Sequence, residues 1–124
     1  MSFKFERLLV WQRAMDLSQR VNVLVKGFPK EELFILVSQL KRAADSVALN
    51  IAEGSTGQSD KEFIRFLKIA LRSDVEVVCG LHIARQRGFI IDSDFKEVYA
   101  LCEEILVMIN GLIRKLSSNI QSNG

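Results

Sequence analysis

The chain has one histidine, His82, and two cysteines, Cys79 and Cys102, the residue types that most often serve as bases, nucleophiles or metal ligands. A catalytic base needs a partner that orients it, but the neighbours of His82 are Leu81 and Ile83. A di-iron helix bundle needs paired Glu-x-x-His motifs, whereas the residue three before His82 is Cys79. We therefore expect a surface or interface histidine. We predict a non-enzymatic protein without catalytic residues, metal, cofactor or small-molecule substrate.

The two cysteines have no spacing that suggests a shared site. Helical periodicity places Cys79 on an outer face and Cys102 in a core stripe, so an intrachain disulfide is not expected. Two cysteines in 124 residues do not form a disulfide framework, which favours a reduced, cytoplasmic protein. We predict no signal peptide, and no apolar run approaches the roughly 18 residues of a membrane span.

The stretch NIAEGSTGQSDKEF, residues 50–63, combines two glycines with polar residues and invites comparison with a phosphate-binding loop. Its spacing is not that of a P-loop, because no lysine follows a glycine-rich run in the required way. Instead, Ser59 and Glu62 have the spacing of a capping box, and Gly54 suits the end of the preceding helix. The stretch therefore predicts a corner between two helices.

Four segments of helical periodicity must position these residues. They span residues 8–26, about 29–53, about 60–87, and a last segment that begins with a cap at Asp92 or Asp94. In the first segment the core stripe is Val10, Ala14, Leu17, Val21, Leu24, Val25 and Phe28. Short connections make neighbours antiparallel, so we predict an all-α fold, an antiparallel up-down-up-down four-helix bundle. A single domain at 1–118 would precede a disordered tail at 119–124.

Two segments carry more apolar side chains than one core stripe requires. The additional rows are Leu8, Trp11 and Met15 in the first segment and Val75, Cys79 and Ile83 in the third. A wide core stripe or scattered surface residues would also produce such rows. Their number on two helices favours an interface between the subunits of a homo-oligomer.

Four cations, which we call the basic row, recur at helical spacing on one outer face of the third segment. They are Lys61, Arg65, Lys68 and Arg72. Neighbours in such a row lie about 5–6 Å apart, which suits phosphates. A solvated charged face is the alternative interpretation, and the net charge of +2 does not by itself indicate a nucleic-acid partner.

A polar line, which we call the polar ladder, follows the second segment. Its members are Gln39, Arg42, Ser46, Asn50 and Glu53. Ile35 and Leu49 lie on the same side, which favours a partly buried surface and adds both residues to the interface candidates. No nucleophile or set of metal ligands surrounds Asn50 and Glu53, so we predict a structural role for the ladder.

The same residues carry a family resemblance. The segments LLVWQRAMDL, FPKEEL, SQLKRAADSVALNIAEGS, KEFIRFLKIALRS and RGFI cover most of residues 8–91. They resemble the four-helix-bundle proteins encoded in intervening sequences of bacterial 23S rRNA genes, often labelled S23 ribosomal proteins. The resemblance implies a barrel of five identical subunits and an association with RNA or a nucleoprotein partner. It supplies no catalytic mechanism, and the ribosomal label would reflect gene location.

The chain departs from the family pattern after the letters IAL, where the family reads Gly-Ser-Leu and this chain has Arg72, Ser73 and Asp74. Arg72 extends the basic row, and without the glycine we expect a less close helix contact at that point. Asp74 falls within the inner apolar stripe. Because an isolated buried charge is costly, we predict a hydrogen-bonding partner, with Arg42 the leading choice.

Two functions are compatible with these patterns. One is an RNA- or nucleoprotein-associated accessory protein that uses the basic row. The other is a protein–protein interaction scaffold without nucleic-acid binding. A continuous positive rim in the assembly would favour the first, whereas cations neutralised by a neighbour's acids would favour the second.

Overall fold

The computed structural model describes residues 3–57 and 59–123, and within these ranges the secondary structure is helical, without a strand. The four α-helices are α1 (Leu9–Leu24), α2 (Ser38–Ser55), α3 (Asp60–Gln86) and α4 (Asp92–Asn123). Short 3-10 turns occupy Lys4–Arg7, Val25–Gly27 and Lys30–Glu32. A π-helical turn, Leu33–Val37, leads directly into α2.

Each helix packs along two neighbours, in the order α1, α2, α3, α4 and back to α1. This is the arrangement of an up-down-up-down bundle and confirms the predicted fold class. The contact between α2 and α3 is the most extensive, and α1 and α3 lie diagonally across the bundle.

The core consists of one apolar stripe from each helix. Its fully buried large side chains include Leu17 and Val21 of α1, Leu40, Val47 and Ile51 of α2, Leu67, Val77 and Leu81 of α3, and Ile105 and Ile109 of α4. Burying each such side chain stabilises the fold by about 1.5–3 kcal/mol. In the first segment the predicted core stripe is buried except for Leu24, which is half-buried.

The ends of α3 have local chemical causes. At its start the Ser59 hydroxyl accepts a hydrogen bond from the Glu62 N–H at 3.1 Å. The Glu62 carboxylate pairs with Arg65, so the structure contains one half of the predicted capping box. At its end Gly88 adopts φ 77°, and the Phe89 N–H reaches back to the Ala84 carbonyl at 2.9 Å. This is the Schellman motif, in which glycine tolerates the left-handed conformation.

The boundaries of α4 differ from those predicted. The helix begins at Asp92, so Asp92 and Asp94 lie in its first turn, where the helix dipole favours acidic residues, and neither is the N-cap. The helix continues to Asn123, so residues 119–123, which we expected to be disordered, are helical. No glycine or proline interrupts the sequence between Leu112 and Asn123. Gly124, the end of the predicted tail, lies outside the described residues, as does Gln58 of the predicted corner.

Gly54 has a role beyond ending α2, because the helix continues to Ser55. A Cβ at Gly54 would lie 2.7 Å from the Cβ of Phe66 and 2.9 Å from Cδ1 of Phe63. A Cβ at Gly80 would likewise collide with the side chain of Leu40. These two glycines let α2 and α3 approach closely at points on either side of Arg72.

Candidate functional site

All four side chains of the basic row are exposed along α3. At 1.5 Å per residue, the row extends about 16 Å along the helix axis. A shallow depression of about 380 Å³ lies beside its first three members and is also lined by Ser59, Glu62 and Ile64. The row therefore offers an accessible positive surface beside the corner between α2 and α3.

The cations of the row differ in their pairing. Arg65 Nη2 lies 2.7 Å from Glu62 Oε1, and its guanidinium lies over the Phe66 ring at 4.6 Å from the centroid. The hydrogen bond and the charge of Glu62 raise the pKa of Arg65 above its usual value, and the charge of Glu53 also raises it. Across residues 3–57 and 59–123, Lys61, Lys68 and Arg72 form no ion pair. These three cations are therefore available to anions.

The outer face of α3 changes character midway. Beyond Arg72, the same line of helical positions continues through Val75, Cys79 and Ile83. Val75 and Cys79 are exposed, whereas Ile83 is half-buried and packs against the core. The half of this face nearest the α2–α3 corner is thus basic, and the half nearest the α3–α4 loop is apolar.

The structure brings interface candidates from α1 and α2 together in one groove of about 350 Å³. Its apolar lining, which we call the apolar groove, consists of Phe5, Trp11, Met15, Ala48, Leu49 and Ala52. The rings of Phe5 and Trp11 meet edge-on, with centroids 4.9 Å apart. Leu8 is not part of this lining, because it is half-buried and packs against the core.

Two residues beside Ile35 are exposed against or beyond the sequence prediction: periodicity placed Leu33 in the core arc of the second segment, which is wrong, and Phe34 was not singled out. In the π-turn, Leu33 is 52% exposed, Phe34 is 88% exposed and Ile35 is 62% exposed. We call these three residues the apolar protrusion. The signal was present in the run LFILV, because a helix with one face toward the core cannot bury five consecutive side chains. Leu36 and Val37 of this run are the buried pair.

The polar ladder is joined to α3 at its centre. Asn50 Nδ2 donates to the Ser46 carbonyl at 2.8 Å and to Ser46 Oγ at 2.9 Å. Ser73 Oγ donates to Ser46 Oγ at 2.9 Å. The outer members Gln39, Arg42 and Glu53 are exposed. The centre of the ladder therefore links two helices, while its ends face solvent.

Asp74 is buried, as its position in the inner stripe predicts, but its predicted partner is wrong. Arg42 is exposed and donates to Ser38 Oγ at 3.4 Å. The partner of Asp74 is the thiol of Cys102 on α4, because the inner face of α3 turns this carboxylate toward α4. Its Oδ1 is buried and has no hydrogen-bond partner within the described ranges.

Burial raises the pKa of Asp74 to about 7, although the bond to Cys102 opposes this shift. Burial also raises the pKa of the Cys102 thiol.

The residues that could carry chemistry are separated in space. His82 is exposed and meets the ring of Phe95 edge-on, with centroids 5.0 Å apart. Both cysteines are free, Cys79 at the surface and Cys102 in the core. In the described part of the chain, no group of three or more His, Cys, Asp or Glu residues is placed to hold a metal ion. None of the helices traced there has the length and apolar character needed to span a bilayer.

Comparison with known proteins identifies a family and a similar solved structure. The sequence model for the 23S rRNA-intervening sequence protein matches residues 6–111, most of the chain. The structure is similar to that of a protein of unknown function from the S23 ribosomal protein family of Bacteroides thetaiotaomicron, with 24% identity and a TM-score of 0.79. The match covers 86% of this chain and 96% of that chain, and at this identity it establishes a shared fold alone. No curated protein matches the sequence.

Proposed function

Because this chain belongs to the family of 23S rRNA-intervening sequence proteins, we propose that it is a non-enzymatic homo-oligomer that associates with RNA through its basic row. Five subunits are expected from the family resemblance. The observation that carries the proposal is the exposure of four aligned cations on α3, three of which have no ion pair in the described ranges. Cations free of intrachain partners can neutralise phosphates without first breaking an existing pair.

The chemistry of the row favours contacts with the RNA backbone. Phe66 is half-buried, and the guanidinium of Arg65 already lies over its ring, where a base would otherwise stack. Base stacking by aromatic side chains is the usual means of gripping unpaired bases. We therefore expect a weak sequence preference and an affinity that depends mainly on the number of phosphates neutralised.

Self-association is supported by the distribution of exposed apolar side chains. Phe34, Ile35, Leu49 and Val75 are each more than half exposed, and they lie on the π-helical turn, α2 and α3. Patches of exposed apolar side chains on a folded chain often mark an interface. Light scattering at micromolar concentration should give a mass several times the 14.1 kDa of one chain. A monomer mass would contradict this part of the proposal.

The RNA-binding part is tested by titrating the protein with a structured RNA at two salt concentrations. The parent should bind at low salt, and its affinity should fall steeply as salt rises. Changing Arg65 and Arg72 together to Gln should weaken binding and flatten the salt dependence without changing the oligomer mass. The matched control changes Arg20 of α1 and Lys26 of the 3-10 turn that follows it to Gln, which removes the same charge from the diagonal side of the bundle.

The alternative is a protein–protein interaction scaffold without nucleic-acid binding. The pairing of Arg65 with Glu62 favours it, because one cation of the row already has an acidic partner. An acidic surface of a neighbouring subunit could neutralise the other three in the same way. If the parent does not bind RNA at low salt, or if the Arg65 and Arg72 double variant binds as the parent does, the scaffold function stands.

A further inference from the structure

We infer that the apolar protrusion of one subunit seats in the apolar groove of the next, so that copies of this chain join head to tail through two different surfaces. The inference rests on the self-association proposed above and specifies which surfaces meet. Its starting point is that one chain carries both a convex and a concave apolar surface, and neither covers the other.

The convex surface is held rigidly in an exposed position. The π-helical turn carries Phe34 at its crest with 88% of its surface exposed, while Leu36 and Val37 of the same turn are buried in the core. The buried pair anchors the turn, so the protruding ring cannot fold inward without displacing core side chains. Short π-helical turns within helices are frequently found at functional sites.

The concave surface has the complementary chemistry. Two alanines, Ala48 and Ala52, leave space between α1 and α2, and the larger side chains Trp11, Met15 and Leu49 border that space. The groove lining contains one charged residue, the exposed Asp45, which accepts a hydrogen bond from Ser18 Oγ at 2.5 Å. An aromatic side chain fits a site that is apolar at its centre and polar at its rim.

Charges beside the two surfaces are also complementary. Lys30 and Lys41 are exposed on either side of the protrusion, and within the described ranges neither forms an ion pair. Glu31 is also exposed there, so the net charge of these three side chains is +1. The charge of the groove is the carboxylate of Asp45. Opposite charges at the rim would orient the two surfaces during docking.

A second copy of the chain is the occupant that satisfies both surfaces. Ile35 and Leu49 lie about 21 Å apart along the helical axis, so the protrusion cannot reach the groove of its own subunit. A two-fold contact that pairs either surface with itself would leave the other exposed. A head-to-tail contact covers both and closes into a ring of any subunit number, including an odd one.

A stable contact must bury enough surface on both subunits. A standard interface covers roughly 800 Å² on each partner. Aromatic side chains bury roughly 150–250 Å² each, so Phe34 against Phe5 and Trp11 would supply the apolar centre. The remaining protrusion and groove residues, with the charged rim, would supply the surrounding area.

The test uses two variants that each remove one surface. Phe34→Asp removes the protrusion and keeps the groove, whereas Leu49→Asp disrupts the groove and keeps the protrusion. Masses are measured by light scattering for each variant alone and for an equimolar mixture. Each variant alone should have the monomer mass, and the mixture should contain a dimer, because one intact protrusion then meets one intact groove. Val107→Asp, at a 67% exposed position on α4, is the matched control and should keep the parent mass.

Two results would overturn the inference. One is a variant that keeps the parent mass on its own, and the other is a mixture that stays monomeric. A parent chain that is itself monomeric would overturn the proposed self-association as well. An oligomeric parent whose variants behave otherwise than expected would overturn only the pairing of protrusion and groove. Circular dichroism checks that each variant keeps its helical content. If either aspartate variant is less helical than the parent, Phe34→Ser and Leu49→Ser are used in place of the two aspartate variants.

Discussion

Asp74 places an ionisable group where water cannot reach it, since it is 1% exposed and hydrogen-bonded to a thiol. Its pKa is about 7 in the folded chain, against about 3.9 for an aspartate in water. Between these two values the folded protein retains a proton that the unfolded chain has released. The unfolded chain therefore binds fewer protons, and the free energy of unfolding falls as pH rises from about 4 to about 7.

The first prediction follows from this fall in unfolding free energy with rising pH. Between pH 5 and pH 8 the parent should lose on the order of 2–3 kcal/mol of unfolding free energy through Asp74, because one pKa unit corresponds to about 1.4 kcal/mol. Asp74→Asn cannot ionise and should lose correspondingly less. Urea unfolding at fixed protein concentration measures both chains. Parallel pH dependence of the two would show that Asp74 is already ionised in the folded state.

The second prediction concerns replacement of Asp74 by Leu, the residue that the family pattern has at this position. The change removes the buried Oδ1 that has no partner in the described structure and adds an apolar side chain to an apolar stripe. Stability at pH 7.5 should be unchanged or higher, as measured by thermal unfolding. Glu76→Leu, at an exposed acid on the same helix, controls for the lost charge. Unfolding of Asp74→Leu alone would mean that the bond to Cys102 is required for the fold.

Asp74 shows what the periodicity of apolar residues can and cannot predict. The spacing of apolar residues fixes which side of α3 faces the core, so the burial of Asp74 could be predicted from the sequence. Its partner could not, because Cys102 lies on a helix distant in sequence and the register between α3 and α4 depends on packing across the whole core. The same limit explains why Arg42, on the other adjacent helix, was the wrong choice.

At the scale of elements, the close contact between α2 and α3 depends on glycines. The third prediction is that Gly80→Ala destabilises the protein by about 1–3 kcal/mol, because the new Cβ collides with Leu40. The matched control is Gly111→Ala in α4, where the nearest atom to the new Cβ is Arg114 Nη2 at 3.8 Å. That control should be neutral or stabilising by up to about 1 kcal/mol, because alanine favours a helix interior. Equal stability of both variants in urea would contradict the close contact.

The helices themselves were predictable because each contributes a clear apolar stripe. Less predictable were features that depend on local backbone geometry, such as the π-helical turn before α2 and the continuation of α4 through residues 119–123. Polar composition suggested a frayed tail, yet no helix-breaking residue lies there before Gly124. Glycine often ends helices, so the sequence predicts a helix end at Gly54. The packing of Gly54 against Phe66 depends on how α2 and α3 meet, which the local sequence does not determine.

At the scale of the whole molecule, charge and apolar surface divide the chain into different regions. The basic row occupies the α3 face near the α2–α3 corner, and the apolar row of Val75, Cys79 and Ile83 continues it toward the other end. Cys79 and Ile83 line a small depression together with Leu36 of the π-helical turn, so the apolar half lies beside the apolar protrusion. A neighbouring subunit that receives the protrusion would therefore also cover the apolar half while the basic half stays exposed. In a ring, each subunit would add four cations to a shared positive rim, so assembly and RNA binding should be coupled.

The fourth prediction tests this coupling with Val75→Glu, at a 55% exposed position outside the basic row. A charge in the apolar half should lower the oligomer mass while helicity is retained. If RNA contacts several subunits of the ring, the smaller species should also bind RNA more weakly and with a shallower dependence of affinity on salt, because fewer phosphates are neutralised per complex.

Val23→Glu, at a 54% exposed position on α1, is the control and should change neither the oligomer mass nor the salt dependence of RNA binding. The Arg65 and Arg72 double variant should show the opposite combination, with parent mass and reduced salt dependence. A Val75→Glu species of lower mass that binds RNA with the parent's salt dependence would mean that each subunit binds independently.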